Sequence, residues 1–475
     1  MFIKRLFETK LAQASYVIGC QATGEAIAID PNRDTDQYLR TAEAEGLKIT
    51  HVTETHIHAD FVSGSRELAA RTGARLFLSD EGDANWKYAF AAQAGATLLK
   101  DGDRITVGNI LIDVIHTPGH TPEHIVFLIT DSAGATEPIA VVSGDFIFVG
   151  DVGRPDLLEK AANIKGTMEV GARQLYASLQ KFASQPDWLQ VWPGHGAGSS
   201  CGKGISAIPH STLGYERRFN WAFQAKSEAD FVAAVLAGQP EPPKYFATMK
   251  RVNKEGPRIL HGLNRPELLQ VDALEAKLRD QSLVVDTRSA AAFAAGHVPG
   301  TINIPLNSSF TTWAGWMVPY DKDFSLIVDD RSAGIDTATR DLAMIGLDRI
   351  AGYFDAGVID AWAAGQRPVG TLSQVTVQDV QASLGHQAVT LLDVRNQNEW
   401  DSGHIPGARH IALGYLGDRL ADVPRDKPVV IHCASGSRSA IGASVLKAHG
   451  IDNVSNFSGG MSAWRKAGLP VESGS

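Results

Sequence analysis

Residues 283–304 read LVVDTRSAAAFAAGHVPGTINI, and the pattern returns 107 positions later as TLLDVRNQNEWDSGHIPGARHI at residues 390–411. Asp286/Asp393, Arg288/Arg395, His297/His404, Pro299/Pro406 and Gly300/Gly407 all keep that register. A period this long marks a duplicated domain rather than a stacked solenoid. Each copy continues into a second apolar run, FSLIVDD at 324–330 and PVVIHCA at 428–434. A helix-like stretch follows, then a closing segment carrying Phe354/Trp362 or Phe457/Trp464. Short β-branched runs alternating with helical patterns build parallel sheets, so the second half reads as two α/β domains in tandem.

The chain has 475 residues, which leaves room for a further domain ahead of the repeat. That first half is rich in short strands, among them SYVIG, AIAID, ARLFLS, HIVFLIT and IAVVSGD, with helices between some of them. Such a pattern suggests an αβ sandwich. Pro240, Pro242 and Pro243 make Gly238 to Pro257 the expected connector, which puts the domains at 1–245, 259–368 and 370–475. Hydrophobic residues at 44% and charged residues at 20% are globular proportions and exclude wholesale disorder. The net charge of −9 argues against nucleic acid or an anionic membrane as partner. No run approaches the roughly 18 apolar residues of a membrane span, and Met1 to Gly19 lacks a signal-peptide core. Cys20, Cys201 and Cys433 are odd in number and far apart, so a disulfide scaffold is excluded and a cytoplasmic location is expected.

Four segments of the first half concentrate metal-ligating side chains. Thr55-His56-Ile57-His58-Ala59-Asp60 follows the run ITHVTE. Next come His116-Thr117-Pro118-Gly119-His120, then Ser143-Gly144-Asp145 after IAVV, then Pro193-Gly194-His195-Gly196. Each ends a strand with a turn, where a sandwich exposes side chains along one rim. Imidazole and carboxylate are the ligands a borderline first-row metal prefers. The other histidines, His51, His116 and His124, read as structural, and Cys20 as packing within an apolar strand.

The ordered set THxHxD, TPGH, GD and PGH resembles the metallo-β-lactamase superfamily over about residues 1–235, in its glyoxalase II-like branch. The resemblance implies an αββα sandwich. Hydrolases of that superfamily carry THxHxDH, whose last histidine binds a second zinc, whereas this chain has Phe61 there. A mononuclear site of His56, His120 and Asp145 remains, and two histidines with one carboxylate leave positions open for non-haem Fe(II) and O2 chemistry. Persulfide dioxygenases, a branch of the superfamily, use that triad. The segment Gly150 to Asp156 also resembles their GRxD signature, which implies a substrate contact at Arg154. By the same resemblance His58, Asp60 and His195 orient the ligands rather than bind the metal, with His58 as fourth ligand the alternative. Cys201, on the Gly-rich loop GHGAGSSCGKG, is a candidate persulfide carrier beside the rim, with a plain loop residue as the bland reading. Lys203 and Arg217 are weaker candidates for binding an acidic thiol.

The second half holds one thiol loop. His432-Cys433-Ala434-Ser435-Gly436-Ser437-Arg438-Ser439 follows the apolar run PVVI and precedes a helical stretch. A sulfur at such a turn lies among backbone N–H groups at a helix N-terminus, which favours negative charge there. Gly436 lets the loop close, Arg438 adds a positive charge, and Gly436, Ser437 and Ser439 form a cradle for a persulfide or an oxyanion. With DVR…GHIPGA upstream and FSGGMSAW downstream, residues 370–475 resemble a rhodanese domain. In the first copy Asp330 takes the place of Cys433, and a carboxylate does not accept sulfane sulfur as a thiolate does. Residues 259–368 therefore read as an inactive rhodanese-like domain.

Together the three parts resemble fused persulfide dioxygenase–sulfurtransferases of bacterial sulfide detoxification. The resemblance implies oxidation of a low-molecular-weight persulfide, such as glutathione persulfide, by O2 to sulfite at one mononuclear Fe(II) per chain. It further implies sulfur transfer through Cys433, forming or using thiosulfate. Two other readings stand beside it: a zinc thioesterase of glyoxalase II type fused to a sulfurtransferase, and a sulfur carrier without turnover. A homo-oligomer is the base-rate expectation.

Overall fold

The structure, a computed structural model, describes residues 1–157, 159, 166–386 and 388–473. The chain divides into two compact units, Met1–Asn264 with Ala343–Gly346, and Arg265–Leu342 with Leu347–Ser475. No described helix is long and apolar enough to cross a membrane.

The first unit has two six-stranded sheets. One runs in chain order through β1 (Phe2–Glu8), β2 (Gln13–Cys20), β3 (Glu25–Ile29), β4 (Lys48–Thr53), β5 (Arg75–Ser79) and β6 (Thr97–Leu99). The other comprises β7 (Arg104–Val107), β8 (Ile110–His116), β9 (Ile125–Asp131), β10 (Ala140–Gly144), β11 (Gln190–Pro193) and β12 (Ser211–Thr212), again adjacent in chain order. Period-two alternation decides which way each strand's residues face. On β2, Ala14, Tyr16, Ile18 and Cys20 enter the core between the sheets, where they meet Ile112, Phe127 and Val142 of the second sheet. Val17 between them faces outward into a second core with Tyr38 and Leu68 of the helices Asp36–Ala44 and Ser65–Thr72. A matching outer layer, the helices Thr167–Phe182 and Glu228–Leu236, puts Leu175 and Phe231 against Val126 and Val141. Four layers result: helices, sheet, sheet, helices.

The expected connector is only partly one. Phe246–Glu255 is a helix of the first unit that buries Phe246, Met249 and Asn253. The prolines at 240–243 lie before the helix and do not interrupt it, and its buried face is a stripe of three residues among lysines and an arginine.

The second unit has two parallel sheets, one per repeat. The first is ordered β14-β13-β15-β16, from β13 (Leu283–Asp286), β14 (Ile302–Asn303), β15 (Phe324–Val328) and β16 (Ile350–Asp355). The second is ordered β17-β21-β20-β18-β19, from β17 (Ser373–Val375), β18 (Thr390–Asp393), β19 (Arg409–His410), β20 (Val429–His432) and β21 (Val454–Phe457). The inner strands β15 and β20 are buried along their whole length, as strands covered on both faces must be. The polar residues that keep the repeat register are fasteners. Arg288 Nη2 donates to Asp286 Oδ2 at 2.6 Å and to Gly296 O at 2.8 Å, and Arg395 Nη2 does the same to Asp393 Oδ2 at 2.6 Å and Gly403 O at 2.9 Å.

Candidate functional site

The rim of the sandwich collects the four segments. β10 and β11 run parallel, with Gly144 opposite Pro193, so Asp145 and His195 leave the sheet side by side. The turns that follow β4 and β8 bring in His56 and His120. One ligand atom from each of His56, His120 and Asp145 lies within 4.8 Å of the others, and all three residues are buried.

Hydrogen bonds on the far side of each ring decide which nitrogen faces this point. His120 Nδ1 is 2.9 Å from the carbonyl of Arg154, which only accepts, so Nδ1 carries the proton and Nε2 keeps its lone pair. Thr55 Oγ1 donates its one proton to Asp30 Oδ2 at 2.9 Å, so it accepts Nδ1–H of His56 at 3.0 Å and frees His56 Nε2. Burial holds both imidazoles below their usual pKa, hence neutral. Asp145 Oδ2 is buried without a hydrogen-bond partner, 3.5 Å from His120 Nε2. Two lone pairs and an orphaned carboxylate oxygen converge on one place, which fits a metal ion bound by two nitrogens and one oxygen.

His195 is bound differently. Its Nδ1 lies 2.8 Å from Asp145 Oδ1 and its Nε2 2.8 Å from Asp60 Oδ2. Burial disfavours its charge, yet the two carboxylates hold its pKa well above the usual histidine value. His195 thus bridges Asp145 and Asp60 in this structure. Gly194 makes room for this: a Cβ there would sit 2.9 Å from Asp145 Oδ1. His58 bonds Asp30 Oδ1 through Nε2 at 3.0 Å. Burial opposes its charge, but the Asp30 carboxylate raises its pKa to about 9. Phe61 is wholly buried, its ring 4.4 Å from that of His58.

Arg154 and Cys201 are both buried. Arg154 has no exposed surface; it forms a double hydrogen bond to Asp156 at 2.7 Å and donates to Ser200 O at 3.0 Å, while its carbonyl accepts from His120 Nδ1. Cys201 lies beside Asp60 and His195 but is buried, and burial with the Asp145 and Asp60 carboxylates pushes its thiol well up. Lys203 donates to Ala237 O and Arg217 pairs with Asp187, so both point into their own surroundings.

In the second unit β20 delivers Cys433 to a loop that ends at the helix Ser437–Ala448. Cys433 Sγ accepts from Gly436 N–H at 3.2 Å and from Ser439 Oγ at 3.6 Å. Arg438 forms a double hydrogen bond to Glu399, at 2.6 and 2.7 Å. Gly436 has φ +99°, and a Cβ there would lie 2.5 Å from Ser458 O. Gly436→Ala should therefore cost about 1–3 kcal/mol and displace the N–H from the sulfur. Denaturant unfolding of the variant measures that cost, and a wild-type midpoint would contradict it. In the first copy Asp330 Oδ1 accepts from Ser332 N at 2.7 Å and Ala333 N at 3.2 Å, capping the helix Ala333–Met344.

Several working residues escape a motif reading. Asp30 holds Thr55 and His58 from the end of β3, and its φ of +51° is a strained value for a side-chain residue. His124 accepts Asp145 N–H through Nε2 at 3.1 Å, and Glu123 accepts Ile57 N–H at 2.8 Å. Asn253, on the helix Phe246–Glu255, donates to the carbonyls of His58 and Phe61. The only sequence signal for these was a polar residue at a strand end or beside a ligand.

Comparison with known proteins gives a match to the metallo-beta-lactamase superfamily over residues 9–195 and to the rhodanese-like domain over 270–364 and 376–467. A solved metallo-beta-lactamase from Staphylococcus aureus subsp. aureus COL is 47% identical, covering 74% of this chain and 99% of that one, with a TM-score of 0.68. A structure of ETHE1 from Myxococcus xanthus is 28% identical over 54% of this chain and 98% of its own, with a TM-score of 0.44. Hydroxyacylglutathione hydrolase of Polaromonas sp. (strain JS666 / ATCC BAA-500) is 36% identical over 38% of this chain. The chain spans about 61% of that relative's length.

Proposed function

Since the chain belongs to the metallo-beta-lactamase superfamily and carries two rhodanese-like domains behind that fold, we propose that it oxidises low-molecular-weight thiol persulfides with O2 and relays sulfane sulfur through Cys433. The observation that carries this reading is the convergence of His56 Nε2, His120 Nε2 and Asp145 Oδ2 beside a His195 saturated by two carboxylates. His56, His120 and Asp145 would hold Fe(II), which would supply activation of O2 toward the persulfide sulfur. The oxidation balances as R–S–SH + O2 + H2O giving R–SH, sulfite and two protons. Asp145 and the two neutral imidazoles would hold the ion, Asp30, Thr55 and Arg154 fix their orientation, and His195 bonds the other oxygen of Asp145. At the second site the Cys433 thiolate attacks the outer sulfur of a persulfide. The bond to the inner sulfur breaks, the thiolate R–S⁻ leaves, and Cys433 carries the S–SH group. Transfer of that sulfur to sulfite gives thiosulfate.

A second reading, hydrolysis of an acylated thiol by a zinc-bound hydroxide, is favoured by the hydroxyacylglutathione hydrolases among the relatives. Phe61 counts against it, because it stands where hydrolases of the superfamily carry a histidine for a second zinc. Parallel assays separate the two. Iron-loaded protein should consume O2 with glutathione persulfide and leave S-lactoylglutathione intact. Rapid thioester hydrolysis without O2 consumption would reverse the order of the readings.

A further inference from the structure

A cavity of about 500 Å3 lies against the Cys433 loop and is shared by both rhodanese-like copies. One wall is the helix Ala290–Ala295 of the copy that lacks the cysteine, with Leu372; the other includes Ser435, Gly436, Ser437 and Asn456. Gly436 is the residue whose N–H meets Cys433 Sγ at 3.2 Å. The copies are fastened here, since Asn303 N–H donates to Ser444 Oγ at 2.8 Å, on the helix that begins at the loop.

The chemistry of this lining is selective. No lysine, arginine or histidine is among the described residues that line the cavity. The nearby guanidinium, that of Arg438, gives a double hydrogen bond to Glu399 and also faces Cys433, outside the cavity lining. Asn456 is 3% exposed; its Nδ2 donates to Gln374 Oε1 at 2.9 Å and Gly436 O at 3.3 Å, while its Oδ1 has no donor. The Gly436 carbonyl can only accept, which fixes that amide orientation. An alanine wall with no lysine, arginine or histidine among the described lining suits the body of an organic group, and leaves a small oxyanion only the serine hydroxyls and loop N–H groups beside Cys433.

Resting on the sulfur-transfer reading of Cys433, we propose that this cavity holds the body of an organic thiol persulfide, and that the cysteine-less copy thereby sets the donor specificity of Cys433 against inorganic thiosulfate. Ala291 is exposed on the lining helix and tolerates a larger side chain. Full-length protein and its Ala291→Trp and Ala291→Arg variants are given N-acetylcysteamine persulfide, which is neutral and carries an amide N–H, or thiosulfate. Mass spectrometry follows the gain of one sulfur at Cys433 in single turnovers. The intrinsic reactivity of each donor cancels when rate ratios are compared between proteins. Ala291→Trp should slow the persulfide reaction by about tenfold, and Ala291→Arg should speed that of thiosulfate, so the persulfide-to-thiosulfate ratio falls in both. An unchanged ratio in both variants, with sulfur still arriving at Cys433, would overturn the cavity assignment alone. No sulfur on wild-type Cys433 from either donor would overturn the sulfur-transfer reading beneath it.

Discussion

His120→Ala is expected to remove the proposed persulfide-dependent O2 consumption while sulfur transfer through Cys433 continues at the wild-type rate. His120 Nε2 is one of two neutral nitrogens facing the orphaned Asp145 Oδ2, and its tautomer is fixed by the Arg154 carbonyl. Without it, one nitrogen and one carboxylate remain, and affinity for the metal should fall by about 100-fold or more. Asp145→Ala should have the same effect on O2 consumption with an added cost in stability. It leaves the His195 imidazolium buried with Asp60 as its one partner, a loss of about 3–5 kcal/mol. Metal content, O2-electrode traces and denaturation midpoints of both variants check this. Normal O2 uptake in His120→Ala would remove the triad from the chemistry.

Cys433→Ser should have the reverse effect: sulfur transfer is expected to fall by about a thousandfold or more, with the proposed O2 consumption on added persulfide untouched. Serine keeps the hydroxyl-sized contact to Gly436 N–H and Ser439, so the loop stays folded. What is lost is the thiolate that accepts sulfane sulfur. The first copy cannot compensate, because Asp330 caps its own helix there. If Cys433→Ser retained thiosulfate-to-thiol transfer, the loop would have no part in the reaction.

The sequence repeat announced the two parallel sheets because the residues that keep its register serve the fold. Asp393–Arg395 and its earlier copy fasten the same carbonyl in each domain. The grouping of four segments at one rim was legible for a related reason: each follows a strand with a turn, and such turns gather at one edge of the sandwich. The bridging role of His195 was not, since it depends on carboxylates from two distant segments meeting on either side of its ring. Nor was the burial of Arg154 against Asp156, because a signature does not show which way a charged side chain turns. The helix Phe246–Glu255 hid behind prolines and charges, and it proves to brace the loop after His58 through Asn253.

The account rests on metal identity coupled to O2. Protein purified without oxygen is analysed for metal and then placed in an O2 electrode with glutathione persulfide. The expected result is one iron per chain, rapid O2 uptake and release of sulfite. Zinc in the site with no O2 uptake, even after reconstitution with iron, would contradict the account.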